Sequence, residues 1–153
     1  AMNSKNKESF FSSILRLPTF YANEGRLKEE AMKLLTIFDL QDKAENLARN
    51  LPYGEQRRLE IVRALATKPK ILFLDEPAAG MNPQETAELT LLIRKIQKEF
   101  QITILLIEHD MSLVMDVCER IYVLEYGRIL AEGVPEEIKN NPEVIKAYLG
   151  GEL

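Results

Sequence analysis

Two adjacent carboxylates, Asp75 and Glu76, follow a run of four apolar residues, 71–74, and precede Pro77. The run predicts a strand buried on both faces, and a buried strand holds its carboxyl end rigidly. Asp75 could then position a hydrated Mg²⁺, which takes few protein carboxylates and keeps several waters. Glu76 would point to the opposite side, where it could orient or deprotonate a water. A simple turn at the end of the strand is the alternative interpretation.

A second candidate site lies at a predicted junction between a loop and a helix. Its glycine, Gly54, would leave backbone N–H groups free at the helix N-terminus, and such groups bind anions. The alternative is an ordinary helix start whose charged face, with Arg57 and Arg58, is solvated. The candidate segment comprises Leu51, Pro52, Tyr53, Gly54, Glu55 and Gln56.

A third candidate is His109, the single histidine of the chain, which follows a second apolar run at 102–107. At the carboxyl end of a strand, its imidazole could donate a hydrogen bond to a phosphate oxygen. A buried structural histidine with satisfied hydrogen bonds is the alternative.

The surrounding pattern indicates how these residues are held. Residues up to about 67 show apolar positions at helical spacing, whereas strands and helices alternate from Ile71 onward. The spacing predicts helices over 84–99 and 112–119, and a hairpin of 121–124 with 128–131 around Tyr126-Gly127. Pro135 and Pro142 should each begin a short helix. We therefore expect an α/β protein that binds ligands at the carboxyl ends of its strands.

Composition narrows the classes of function. The chain has 153 residues and a net charge of −4, and this acidic balance argues against a protein that binds nucleic acid. The one cysteine, Cys118, cannot form an internal disulfide. No apolar run approaches the roughly 20 residues that span a bilayer, and the polar start does not have the pattern of a signal peptide. We expect a cytoplasmic protein.

Taken in order, the motifs resemble those of ABC transporter ATP-binding subunits. Residues 51–56 match the signature motif and 71–76 match Walker B, while 79–82 fall on the D-loop and His109 on the switch histidine. Pro52 replaces the usual signature serine, and Asn82 replaces the D-loop aspartate. With both departures the motifs resemble those of the branched-chain amino acid subfamily. The segments 106–111 and 141–150 also resemble sequences of that subfamily.

This resemblance implies a partial P-loop NTPase (ABC ATPase) fold, with parallel strands flanked by helices. Residues 3–67 would form an N-terminal helical subdomain, and 68–153 the C-terminal half of the ATPase core. ATP and Mg²⁺ are the implied cofactors. Asp75 would hold Mg²⁺, whereas Glu76 and His109 would be catalytic. Residues 51–56 and Asn82 would bind nucleotide.

The resemblance also implies partners and a location. The subunit would form a head-to-tail dimer with a second ATP-binding subunit, so that its signature contacts the γ-phosphate bound by the other protomer. Membrane permease subunits would dock near residues 10–45 and hold the protein at the inner face of the cell membrane. The complete assembly would import branched-chain amino acids.

One motif of the family is missing from these 153 residues. None of the seven glycines belongs to a Gly-x-x-x-x-Gly-Lys-Ser/Thr loop. The chain is therefore expected to be the C-terminal part of a longer subunit and to show no measurable ATP hydrolysis alone. The strand that leads into this loop is expected to be missing with it, and in this fold class that strand lies between the strands at 103–107 and 121–124. The sheet should be interrupted there, and either the gap closes up or a strand-exchanged second copy fills it.

Three other functions fit parts of the sequence. The ATPase of lipopolysaccharide export has a similar C-terminal region but usually keeps the signature serine and a second glycine. A non-catalytic, ABC-derived interaction module would explain the missing phosphate loop, although Asp75, Glu76 and His109 argue against lost catalysis. ABC ATPases of DNA repair or translation usually carry a coiled coil or a paired cassette, which this sequence lacks.

Overall fold

The computed structural model describes residues 18–148, with side chains from residue 24 onward. The chain divides into two compact units between Leu72 and Phe73. The sequence favours core packing over a permease-facing groove for four aromatic residues: Phe10, Phe11, Phe20 and Tyr21. Of these, Phe10 and Phe11 lie outside the described residues. The side chains of Phe20 and Tyr21 do so as well.

The first unit is helical. Helix α1 (Pro18–Ile37) is followed by two short 3-10 turns, Gln41–Lys43 and Ala48–Asn50, and by helix α2 (Tyr53–Leu65). Helix α1 packs on α2. Between residues 24 and 65 the unit buries seven apolar side chains: Leu34, Phe38, Leu40, Leu51, Ile61, Val62 and Leu65. Those within a helix lie on common faces because of their spacing.

The second unit alternates strands and helices. Strand β1 (Ile71–Asp75), whose first two residues precede the unit boundary, leads through helix α3 (Pro83–Phe100) to strand β2 (Thr103–Ile107). The remaining elements are α4 (Met111–Val117), β3 (Ile121–Glu125), β4 (Arg128–Gly133), α5 (Pro135–Lys139) and α6 (Pro142–Tyr148). Each predicted strand and helix of this unit is present, and prolines begin α5 and α6 as predicted.

The strands form two separate two-stranded sheets, β1–β2 and β3–β4. Strands β3 and β4 make the predicted antiparallel hairpin. Its turn residues Tyr126 and Gly127 have φ of 46° and 76°, the conformation of a two-residue hairpin turn. In the other sheet, the Glu76 N–H donates to the Ile107 carbonyl at 2.9 Å. Because both residues lie at strand ends, the carboxyl ends of β1 and β2 share one edge, as in a parallel pair.

Strand β1 is buried on one face only, so the prediction of burial on both faces was wrong. Leu72 and Leu74 are buried, whereas Ile71 is 50% and Phe73 is 68% exposed. Alternate side chains of a strand point to opposite faces, and the described residues cover the second apolar face of β1 only in part.

The sheet is interrupted between β2 and β3, as predicted. These two strands are not hydrogen-bonded neighbours in the part of the chain that the structure describes. Closure of the gap within one chain was therefore a wrong alternative. Strand exchange concerns a second copy and stays a prediction.

One apolar cluster of the second unit lies between the hairpin and the last three helices. Its buried members are Val114, Ile121, Val123, Ile138 and Val144. Cys118 packs against this cluster in the way that a free cysteine usually packs as a small apolar residue, and its partial burial raises the pKa of the thiol. Among the described residues, no helix is both long enough and apolar enough to cross a membrane.

We predict that Ile138→Ala lowers the free energy of unfolding by about 2–4 kcal/mol, because it leaves a cavity at a side chain that is 1% exposed. Ile145→Ala is the matched control, since Ile145 is 38% exposed, and it should cost below about 1 kcal/mol. Urea denaturation of both variants measures the difference. Equal costs would contradict this assignment of the core.

Candidate functional site

The carboxyl ends of β1 and β2 bring three predicted site residues together. Asp75 is the last residue of β1, Glu76 follows it, and His109 lies two residues beyond the end of β2. His109 Nδ1 is 3.4 Å from Glu76 Oε1. The His109 side chain is 72% exposed and that of Glu76 is 54% exposed, so both can reach a bound molecule. His109 is therefore not a buried structural histidine.

Glu76 has an unusual backbone conformation. Its φ is 43°, in the left-handed region, which L-residues with a side chain rarely adopt. The conformation is held by two backbone hydrogen bonds: the Glu76 N–H donates to Ile107, and the Glu76 carbonyl accepts from the Ala79 N–H at 3.1 Å. The carboxylate is thus presented by a tight turn. The turn that was the alternative interpretation of Asp-Glu-Pro is present, and it leaves the Glu76 carboxylate exposed.

Glu108 lies next to these residues and was not singled out from the sequence. Its side chain is only 1% exposed. One carboxylate oxygen, Oε1, accepts from the Ala78 N–H at 2.8 Å, and the other accepts from the His109 N–H at 3.2 Å. Sequence gave no signal for these bonds beyond the position of a charged residue directly after a strand.

Asn82 has a structural task at the start of α3. Its side chain accepts from the Glu85 N–H at 3.0 Å, while the Glu85 side chain accepts from the Asn82 N–H at 2.9 Å. This reciprocal pair is a capping box, which satisfies two N–H groups that a helix start would otherwise leave unbonded. The predicted contact of Asn82 with nucleotide stays a prediction.

The segment 51–56 belongs to the first unit and forms the start of α2. Pro52 is the N-cap residue and supplies no side-chain hydrogen bond. The first i to i−4 bond of the helix runs from the Gln56 N–H to the Pro52 carbonyl at 3.0 Å. The amides of Tyr53, Gly54 and Glu55 therefore have no acceptor within the helix. This is the free helix N-terminus that the sequence predicted.

Side chains around this helix start are fixed by charged contacts. The Glu55 carboxylate forms an ion pair with Lys43, which the sequence did not suggest. Both the Nε and the Nη2 of Arg57 donate to the Tyr53 hydroxyl, at 3.0 and 2.8 Å, and Arg57 also pairs with Glu60 at 2.9 Å. These partners raise the pKa of Arg57, with the hydrogen bond to Glu60 as the largest cause. The Tyr53 side chain is therefore held by Arg57, one turn further along the same helix.

The predicted site residues fall into two groups, one in each unit of the chain. Leu51 to Gln56 belong to the first unit, whereas Asp75, Glu76, Asn82 and His109 belong to the second. Within residues 18–148, no group of three or more His, Cys, Asp or Glu side chains could hold a metal ion. Asp75 is exposed at its strand end, which suits Mg²⁺, because that ion needs only one or two carboxylates beside phosphates and water.

Family models match both parts of the chain. The model described as "ABC transporter" matches residues 3–79. The model described as "Branched-chain amino acid ATP-binding cassette transporter" matches residues 128–153. Together they include the segment 51–56, the Asp75–Glu76 pair and the C-terminal helix.

Curated relatives give the same family. The high-affinity branched-chain amino acid transport ATP-binding protein LivG of Salmonella typhimurium is 50% identical over 150 residues, which cover 98% of this chain and 59% of LivG. BraF of Pseudomonas aeruginosa, described in the same words, is 49% identical over 93% of this chain and 56% of its own length. The chain thus spans less than two thirds of these relatives.

Solved structures confirm the predicted fold class. The ADP conformation of MJ1267, an ATP-binding cassette of an ABC transporter, matches 82% of this chain and 50% of its own with a TM-score of 0.74 and 31% identity. A nucleotide-free ATP-binding cassette from an ABC transporter matches 97% of this chain and 60% of its own, with a TM-score of 0.72 and 31% identity.

We predict that Asn82→Ala lowers the free energy of unfolding by about 1 kcal/mol, because it removes the capping box of α3. Gln84→Ala, at the exposed second position of the same helix, should change it by less than about 0.5 kcal/mol. Urea midpoints of the two variants and the parent chain provide the measurement. An unchanged midpoint in Asn82→Ala would show that the cap contributes nothing.

Proposed function

Because the chain belongs to the ABC transporter family, we propose that it is the C-terminal part of the ATP-hydrolysing subunit of a branched-chain amino acid importer. The pairing of Glu76 with His109 at the carboxyl ends of β1 and β2 is the observation that carries the proposed chemistry. The 50% identity to LivG and the model matched at 128–153 support the substrate class.

In this proposal Glu76 acts on the attacking water. Its carboxylate stands beside His109 Nδ1 at 3.4 Å and is half exposed, so a water can reach it. The second imidazole nitrogen, Nε2, would hydrogen-bond to the γ-phosphate and hold it in line with that water. The tight turn at Glu76 restricts the carboxylate in advance, so little conformational entropy is lost when the carboxylate orients the water.

Asp75 is the residue that would hold Mg²⁺. It ends β1 next to Glu76, and its exposed carboxylate can be reached by a hydrated ion and by phosphate oxygens. When bound, Mg²⁺ neutralises negative charge on the phosphates during transfer. Asp75 ends the strand and Glu76 begins the turn, so in this proposal the metal task and the water task fall to two adjacent carboxylates.

The start of α2 would bind the γ-phosphate held by a second subunit. The amides of Tyr53, Gly54 and Glu55 have no acceptor within the helix, and the positive end of the helix dipole adds to their attraction for phosphate. Pro52 has no hydroxyl, so the backbone amides replace a serine contact. Gln56 Nε2 donates to the Leu51 carbonyl at 2.7 Å and stabilises the turn that presents them.

The 153 residues would need the rest of the subunit to work. A phosphate-binding loop supplies most of the contacts to nucleotide in P-loop enzymes, and no such sequence occurs here. The complete subunit would pair head to tail with a second ATP-binding subunit. It would dock on permease subunits through the helical unit, and so lie at the cytoplasmic face of the membrane. It would not act on nucleic acid.

We predict that this chain alone does not bind MgATP at concentrations up to about 1 mM, because one carboxylate and a helix N-terminus cannot replace a phosphate loop. Isothermal titration of MgATP measures this, with the oligomeric state established by light scattering. Micromolar affinity would mean that another part of the chain grips phosphate, and the proposed inactivity of the chain alone would be wrong.

Joining the N-terminal part of Salmonella typhimurium LivG to this chain should restore ATP hydrolysis. In the joined protein, Glu76→Gln should lower kcat by about 100-fold or more, since the amide cannot take a proton from water. Glu99→Gln, an exposed carboxylate on α3, is the matched control and should keep the parental rate. A joined protein that folds and binds ATP without hydrolysing it would favour the non-catalytic interaction module.

A further inference from the structure

Glu108 is a buried carboxylate that neither the predicted site nor the proposed chemistry uses. Its side chain is 1% exposed, and the atoms nearest its two oxygens include the Ala78 N–H and the His109 N–H. The imidazole nitrogen His109 Nδ1 is 3.9 Å from Glu108 Oε2. A buried carboxylate is costly unless hydrogen bonds replace its water, so these amide contacts are what make its burial tolerable.

The two bonds of Glu108 join two different loops. Ala78 lies two residues after Glu76, in the turn that follows β1, whereas His109 lies in the loop that follows β2. The Glu76 N–H is already bonded to Ile107 at 2.9 Å. The backbone around Glu76 is therefore anchored to the end of β2 at two points. One is the Glu76 amide itself, and the other is the amide of Ala78, two residues later.

Such anchoring matters because Glu76 adopts an unfavourable conformation. With φ of 43°, its backbone would relax toward the common regions if the turn were free to move. The Ile107 carbonyl holds only the entry to the turn, whereas Glu108 holds its exit. The same carboxylate accepts from His109, so one side chain fixes both partners of the 3.4 Å contact between His109 and Glu76.

We propose that Glu108 is a positioning residue, whose buried carboxylate ties the Glu76 turn to the His109 loop and sets the geometry of that pair. This inference rests on the proposed function, since it assigns Glu108 to the positioning of residues proposed to act on water and phosphate. Glu108 touches neither of these and acts through the backbone of Ala78 and His109.

Amide hydrogen exchange on the 153-residue chain tests the tie itself, without nucleotide. In Glu108→Ala, exchange at Ala78 and His109 should accelerate on the order of 10-fold or more, because both amides lose their acceptor. Glu108→Gln keeps one acceptor oxygen and should protect one of the two amides. Glu99→Gln is the control, and the Val114 amide, bonded to the Asp110 carbonyl at 3.1 Å, is the internal reference.

Kinetics of the protein joined to the LivG N-terminal part test the consequence. Glu108→Ala should lower kcat about 10-fold with KM for MgATP within about 2-fold, because a displaced Glu76 affects the reaction rather than binding. Glu108→Gln should recover part of the loss. If Glu108→Ala does not fold, Glu108→Gln alone should still show the exchange difference between Ala78 and His109 and a smaller fall in kcat.

Each outcome has a definite meaning. Unchanged exchange at Ala78 and His109, acceleration equal to that at Val114, or a raised KM with unchanged kcat would overturn the positioning role. An unmutated joined protein without ATPase activity would instead count against the proposed function. In that case selective exchange at Ala78 and His109 would still support the tie between the two loops.

Discussion

The hydrogen bond between the Glu76 N–H and the Ile107 carbonyl sets the level at which the two parallel strands end. The bond thereby also places Asp75, Glu76 and His109 at the same edge of the sheet, because each lies at or just beyond a strand end. A shift of one residue in the register of β1 against β2 would turn the alternating side chains to the opposite face. The buried pair Leu72 and Leu74 opposes such a shift, since it would expose both.

The site loops themselves are held in part by polar contacts. The Glu108 carboxylate bonds to the Ala78 and His109 amides, and the capping box at Asn82 fixes the start of α3 a few residues further on. Between them the chain turns at Gly80, whose φ of 76° suits glycine. Directional bonds of this kind define side-chain positions more narrowly than apolar contacts do.

Many elements could be predicted because their signals are local. Tyr126-Gly127 between two β-rich runs predicted the hairpin, and Pro135 and Pro142 predicted two helix starts. The motif order predicted the fold class. The ion pair of Glu55 with Lys43 and the bond of Glu108 to the Ala78 amide could not be predicted, because they join residues well separated in sequence whose approach depends on packing. One-sided burial of β1 was missed for the same reason: an apolar run indicates a strand but not what covers it.

The sequence by itself determined which residue types are available for chemistry and in what order they occur. It also showed that no phosphate-loop motif occurs in these 153 residues, since the motif is a local pattern of glycine, lysine and hydroxyl residues. Tertiary structure alone decided the 3.4 Å contact of His109 with Glu76, the left-handed backbone at Glu76 and the burial of Glu108. The physical reason is that distances and desolvation arise only when separate strands pack, and the identity of a residue does not fix its neighbours in space.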